Sequence, residues 1–135
     1  MTKPVTRMNP PSLPDAGAIG YSQISIAEPG RLAYISGQVA WPANGEEIPD
    51  GLAGQADIVT DNARKALTAV GATPEDIVNA RVYMIDLTPD RQDIVMQSLI
   101  KFFDGAKPSL TGVGVAALAG PKLQLELELI VRLPS

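Results

Sequence analysis

The stretch Leu123-Gln-Leu-Glu-Leu-Glu-Leu-Ile-Val-Arg132 decides the fold of this chain. Its leucines alternate with Gln124, Glu126 and Glu128, so the pattern has a period of two. Because successive side chains of a strand point to opposite faces, the pattern predicts a strand with one leucine face and one polar face. The carboxylates on the polar face are either solvated charges or, if a neighbouring surface buries them, groups with a chemical task.

Length and composition limit the possible functions. The 135 residues fit a single domain, 1–135, and the net charge of −4 offers no attraction to nucleic acid or to an anionic membrane. The chain has neither cysteine nor histidine, which excludes disulfides, thiol catalysis, Ser-His triads and His-ligated zinc. No apolar run approaches the ~20 residues of a membrane helix, and no signal-peptide core opens the chain, so we expect a cytoplasmic protein.

The first part of the chain predicts extended structure. Proline and glycine in residues 1–20 indicate an extended N-terminal arm without a helix. Tyr21–Ile26 and Arg31–Ser36 flank the turn Glu28-Pro29-Gly30, which predicts an antiparallel hairpin. Gly37 follows the second strand and indicates a bulge or a close approach of another group to the backbone.

The rest of the chain predicts two helices and three strands. An apolar stripe from Leu52 to Val70 indicates the first helix, which Gly71 ends. The further predicted elements are a short turn at Thr73–Asp76, a strand at Ile77–Ile85 with Asn79, Arg81 and Tyr83 on its polar face, a helix at Pro89–Phe103 with a buried stripe that includes Ile94, a loop at Asp104–Pro108, a strand at Gly112–Leu118 and the final strand.

The predicted order β-β-α-β-α-β-β gives a two-layer α+β domain with both helices on one sheet face. The other face carries Gln124, Glu126 and Glu128, and no helix remains to cover it. Association of sheets from several copies covers such a face most simply. We therefore expect a homo-oligomer, with clefts where the loops of one subunit meet the next.

Short motifs along nearly the whole chain resemble those of the Rid family, the reactive intermediate deaminases, also called the YjgF family. They are Tyr21-Ser22-Gln23, Ile35-Ser36-Gly37-Gln38-Val39, Gln55 with Asp61-Asn62, Asp76-Ile77-Val78, Phe102-Phe103, Pro108 and Glu126-Leu127-Glu128. The resemblance implies a chorismate-mutase-like homotrimer with clefts between subunits. It also implies hydrolysis of reactive enamines and imines to a 2-oxo acid and ammonia, without a cofactor. No metal is expected, because Glu126 and Glu128 share one strand face without a third ligand nearby.

The sequence departs from the family pattern where the resemblance places the ligand. Catalytically competent members of the family carry an arginine two residues after the proline that corresponds to Pro108. That arginine binds the substrate carboxylate. Here Leu110 holds that position, and Gly112 and Met96 replace the usual Cys and Asn. This chain thus resembles the arginine-lacking subgroups of the family, and its substrate is expected to differ.

The resemblance selects five candidate site residues. Glu128 matches the carboxylate that orients water and accepts its proton. Tyr21, Gly37, Leu110 and Thr111 would bind the substrate. Four of them have a structural alternative: Glu128 as an amide-bonded interface residue, Tyr21 as an edge residue, Gly37 as a bulge and Thr111 as a solvated loop residue. Leu110 indicates an apolar wall of the cleft, which favours a less anionic ligand.

Three functions remain open at this point. The first is a small hydrolase that acts on an imine or enamine through Glu128. The second is a non-catalytic trimer that binds a small metabolite, which Leu110 favours because leucine offers no charge. The third, a ribonuclease, echoes the older endoribonuclease L-PSP label of the family, but an acidic chain without histidine has no obvious group for that chemistry.

Overall fold

The computed structural model describes residues 3–134. Its elements are β1 (Val5–Met8), β2 (Ile24–Ala27), β3 (Leu32–Gln38), α1 (Leu52–Ala69), a 3₁₀ turn (Pro74–Asp76), β4 (Ile77–Ile85), α2 (Pro89–Phe103), β5 (Ser109–Val115) and β6 (Leu125–Arg132). No helix within the described range is long and apolar enough to cross a membrane.

Strand β6, which the leucine alternation predicted, lies inside the main sheet. The strand order is β3-β6-β4-β5, with β6 antiparallel to both of its neighbours and β4 parallel to β5. Leu125, Leu127, Leu129 and Val131 are at most 1% exposed, and the residues between them are half-buried. Each such side chain contributes about 1.5–3 kcal/mol through burial, so the alternation fixes which face meets the core.

Both helices cover the leucine face of the sheet, which makes the fold the predicted two-layer α+β domain. Helix α1 packs on β3, β6 and α2. Val59 and Leu99, one from each helix, join the β6 leucines in a single buried cluster. The α2 stripe is narrower than the sequence predicted, because Ile94 remains 37% exposed.

Both helices have defined ends, and α1 ends beside Gly71 as predicted. Gly71, with a φ of 72°, directly follows the C-cap of α1, where an L side chain would be strained. Thr88 caps α2, since its hydroxyl accepts a hydrogen bond from the backbone N–H of Arg91 at 3.3 Å.

The predicted hairpin of Tyr21–Ile26 with Arg31–Ser36 is wrong. The first of these segments, β2, pairs with β1 in a separate two-stranded ribbon, while β3 pairs with β6. Strand β1 lies inside the N-terminal arm, where the sequence indicated extended chain but not a strand. A turn motif indicates that the chain reverses direction, but it does not determine which strand each flank pairs with.

The ribbon of β1 and β2 joins the main sheet at its β5 edge. Ser22 forms a parallel bridge with Ser109, and its backbone N–H donates to the carbonyl of Pro108 at 3.1 Å. Arg7 of β1 reaches across this junction and donates to the carbonyls of Ile77 and Ala106 at 2.6 and 3.2 Å. Burial lowers the pKa of its guanidinium, and the charges of nearby acidic residues oppose this.

Candidate functional site

Glu128 lies on the sheet face that neither helix covers. It is half-buried, and its Oε1 accepts a hydrogen bond from the hydroxyl of Tyr83 at 3.2 Å. Both residues belong to neighbouring strands, β6 and β4, so the rigid sheet positions the carboxylate. A carboxylate that one phenol holds in place keeps its second oxygen available to accept a proton.

Strand register places two further polar residues beside Glu128. Arg81 of β4 pairs with Glu128 of β6 on one side and with Thr111 of β5 on the other. Paired residues on adjacent strands point to the same face, so these three side chains form one row. Arg81 and Thr111 are both exposed. Thr111, a sequence-predicted binding residue, is therefore on the Glu128 face.

Gly37 lies against the side chain of Glu126. A Cβ on Gly37 would overlap the Cγ and carboxylate of Glu126, so a larger residue here would force the Glu126 side chain to move. The pairing of β3 with β6 also shifts register between Ile35 and Gln38. Both readings of this glycine, a bulge and a close approach to the backbone, are thus present in the structure, and the approaching group is Glu126.

Tyr21 and Leu110 belong to a second pocket, which lies on the helix side of the sheet. Leu110 pairs with Ala80, which is completely buried under the helices, and Arg81 next to it points the opposite way. Together with Met96 of α2, Tyr21 and Leu110 line a pocket of about 210 Å³. None of its lining residues is charged, so the pocket suits an apolar group.

The five candidate residues therefore form two groups within one chain. Glu128, Thr111 and Gly37 belong to the uncovered face, whereas Tyr21 and Leu110 line the apolar pocket behind β5. Leu110 and Thr111 separate because strand β5 begins at Ser109, not at Gly112 as the sequence predicted. Adjacent strand residues point to opposite faces, so the two cannot line the same surface.

Two further polar groups have defined partners. The Ser109 hydroxyl lies 2.7 Å from the Ser25 hydroxyl and links β5 to the ribbon.

Within residues 3–134, no three acidic side chains come close enough together to hold a metal ion.

Sequence reasoning missed Tyr83 and Arg81 as members of the Glu128 site. It placed both on the polar face of their strand, but a single strand pattern does not reveal which residues of the neighbouring strand they meet. The register of β4 on β6, with Arg81 opposite Glu128 and Tyr83 opposite Glu126, supplies that information.

Comparison with known proteins agrees with this fold. The family model described as Endoribonuclease L-PSP matches residues 14–133. The RutC family protein YjgH of Escherichia coli is 32% identical over 105 residues, 78% of each chain. A 2-iminobutanoate/2-iminopropanoate deaminase of Bos taurus is 32% identical over 114 residues, covering 81% of this chain and 79% of the relative.

A solved structure resembles the whole chain. The Rid-family protein YyfB of Yersinia pestis, described as of unknown function, superposes with a TM-score of 0.91 at 33% identity, covering 96% of this chain and 99% of the other. The fold thus defines a small α+β protein of the kind formed by Rid-family proteins. The chain belongs to the Rid (YjgF, endoribonuclease L-PSP) family.

Proposed function

We propose that this protein is a cofactor-independent hydrolase of imines or enamines. The observation that carries the proposal is Glu128, a half-buried carboxylate that Tyr83 holds on an uncovered sheet face. Membership of a family that includes a 2-iminobutanoate/2-iminopropanoate deaminase at 32% identity supports the same chemistry.

Glu128 performs the proton transfers of this reaction. An enamine first becomes an imine by gaining a proton on carbon and losing one from nitrogen. Glu128 then accepts a proton from a water molecule as the water oxygen attacks the C=N carbon. The nitrogen takes up a proton from solvent. Glu128 then passes its proton to the nitrogen of the resulting carbinolamine. The C–N bond breaks, ammonia leaves, and the hydroxyl group loses its proton to solvent, which leaves a carbonyl compound.

The working unit is a homotrimer with the site between subunits. Leu32 and Tyr34 of β3 are 45% and 73% exposed and, like Glu128, lie on the face that the helices leave open. A second copy that covers this face removes their apolar surface from water and encloses Glu128. The Tyr21–Leu110 pocket of that neighbour then supplies the apolar wall of the cleft.

The test is release of ammonia from imines generated in situ from several amino acids and neutral amines. The matched variants are Glu128→Gln and Glu126→Gln, which change neighbouring carboxylates on the same strand face to uncharged isosteres. We expect the Glu128→Gln variant to lose turnover and the Glu126→Gln variant to retain it. Equal rates for the wild type and the Glu128→Gln variant on every imine would contradict the proposal.

Binding of a small metabolite without catalysis is the second candidate. The uncharged pocket lined by Tyr21 and Leu110 favours it, because such a pocket binds a ligand without any acid–base group. This candidate predicts thermal stabilisation by a ligand that Tyr21→Ala removes and Glu128→Gln leaves unchanged. Cleavage of RNA has less support, since a net charge of −4 repels phosphate.

A further inference from the structure

Arg81 is a cation placed directly beside Glu128. The two residues are opposite each other in the antiparallel pairing of β4 with β6, and Thr111 continues the row on β5. Adjacent strands are about 4.8 Å apart, so a small molecule that contacts the Glu128 carboxylate lies within reach of an arginine side chain on the next strand. The guanidinium belongs to the face where the proposed reaction takes place.

The Arg81 guanidinium forms no ion pair with the residues that the structure describes. Both ion pairs found within residues 3–134 involve Asp61, with Arg64 and Lys65, and neither includes Arg81. Glu128 itself accepts its hydrogen bond from Tyr83. In contrast, Arg132 on the same sheet donates hydrogen bonds to the carbonyls of Glu28 and Pro29 and so stabilises the fold.

We propose that Arg81 binds the anionic group of the ligand in the Glu128 site and so determines its specificity. This inference rests on the proposed function, because it assumes that the ligand lies against Glu128. A guanidinium presents two parallel N–H donors, which match the two oxygens of a carboxylate. The pocket of Tyr21 and Leu110 has no charged lining residue, so a carboxylate finds its cation on the Arg81 side of the cleft.

The alternative role for Arg81 is structural: its charge balances those of Glu126 and Glu128 on the same sheet face. The two roles differ in what they do to a neutral ligand. An arginine that binds an anion affects a carboxylate ligand and leaves the matching amide unchanged. An arginine that only supports the fold or the subunit contact affects both ligands alike.

The experiment measures the affinity of the purified full-length protein for 2-oxobutanoate and for 2-oxobutanamide by calorimetry. We expect Arg81→Gln to weaken 2-oxobutanoate binding at least roughly tenfold, the range expected for a lost charged hydrogen bond, and to leave 2-oxobutanamide within about twofold. Arg81→Lys recovers part of the affinity, because lysine keeps the positive charge but lacks the two parallel N–H donors of the guanidinium. Arg31→Gln, a change of another exposed arginine, serves as the matched control and binds as the wild type does.

Four results would overturn the role of Arg81. They are unchanged 2-oxobutanoate affinity in Arg81→Gln, equal weakening of both ligands, dissociation of the Arg81→Gln protein into single chains, and absence of 2-oxobutanoate binding by the wild type. Failure of the proposed hydrolysis gives a different result. In that case 2-oxobutanoate binding still depends on Arg81, but no imine is turned over faster by the wild type than by Glu128→Gln.

Discussion

Glu128 and Leu110 lie on opposite faces of the same sheet. Arg81 of β4 pairs with Glu128, whereas its neighbour Ala80 pairs with Leu110, and successive residues of β4 point to opposite sides. A single ligand cannot contact both side chains of one chain, because the sheet itself separates them. A site that uses both residues therefore needs Glu128 from one copy and Leu110 from another.

The hydrogen bond from Tyr83 to Glu128 predicts that Tyr83 positions the carboxylate. Tyr83→Phe removes only the hydroxyl that donates to Oε1 at 3.2 Å. A lost hydrogen bond of about 1 kcal/mol lowers kcat about fivefold, and KM changes little because the phenyl ring remains. Steady-state kinetics of imine hydrolysis checks this. The double variant Tyr83→Phe/Glu128→Gln serves as the control and is no slower than Glu128→Gln alone; a Tyr83→Phe enzyme with wild-type kcat would contradict the role.

The contact of Gly37 with Glu126 predicts a coupled effect on stability. Gly37→Ala places a methyl group where the Glu126 side chain lies and lowers the free energy of unfolding by about 1–3 kcal/mol. In a Glu126→Ala background the same change costs much less, because the space is empty. Urea unfolding of the four proteins in this cycle measures the coupling. Additive effects would show that Glu126 is not the group that requires glycine at this position.

The contacts of Arg7 predict that it stabilises the junction between the β1–β2 ribbon and the main sheet. Its guanidinium donates to the Ile77 and Ala106 carbonyls and to the Ser25 hydroxyl. Arg7→Ala leaves these acceptors without a charged donor and lowers the free energy of unfolding by roughly 1.5–3 kcal/mol. Arg7→Lys restores only part, because an ammonium group does not span all three acceptors. Faster hydrogen exchange at Val5–Met8 in Arg7→Ala locates the effect, and unchanged exchange there would contradict it.

Periodicity allowed most of the fold to be predicted. The bounds of β4 and α2 agree with the predicted Ile77–Ile85 and Pro89–Phe103, and the alternation in β6 identified its buried face. Strand pairing could not be predicted in the same way, because it depends on contacts between distant segments. This is why β2 was paired with β3 and not with β1.

The candidate site was predicted less completely, for the same reason. Glu128 was found from its strand pattern and the family resemblance, and the structure places it on the uncovered face. Leu110 and Thr111 were placed before β5, because the strand was predicted to begin at Gly112 and it begins at Ser109. With the strand beginning at Ser109, the two-residue period alone assigns Leu110 and Thr111 to opposite faces.

The central claim, that the Glu128 face is covered by further copies of this chain, is tested most directly by the native mass of the purified protein at micromolar concentration. We expect a mass three times that of the 14.2 kDa chain. A particle of 14.2 kDa, with Glu128 open to bulk water, would contradict it.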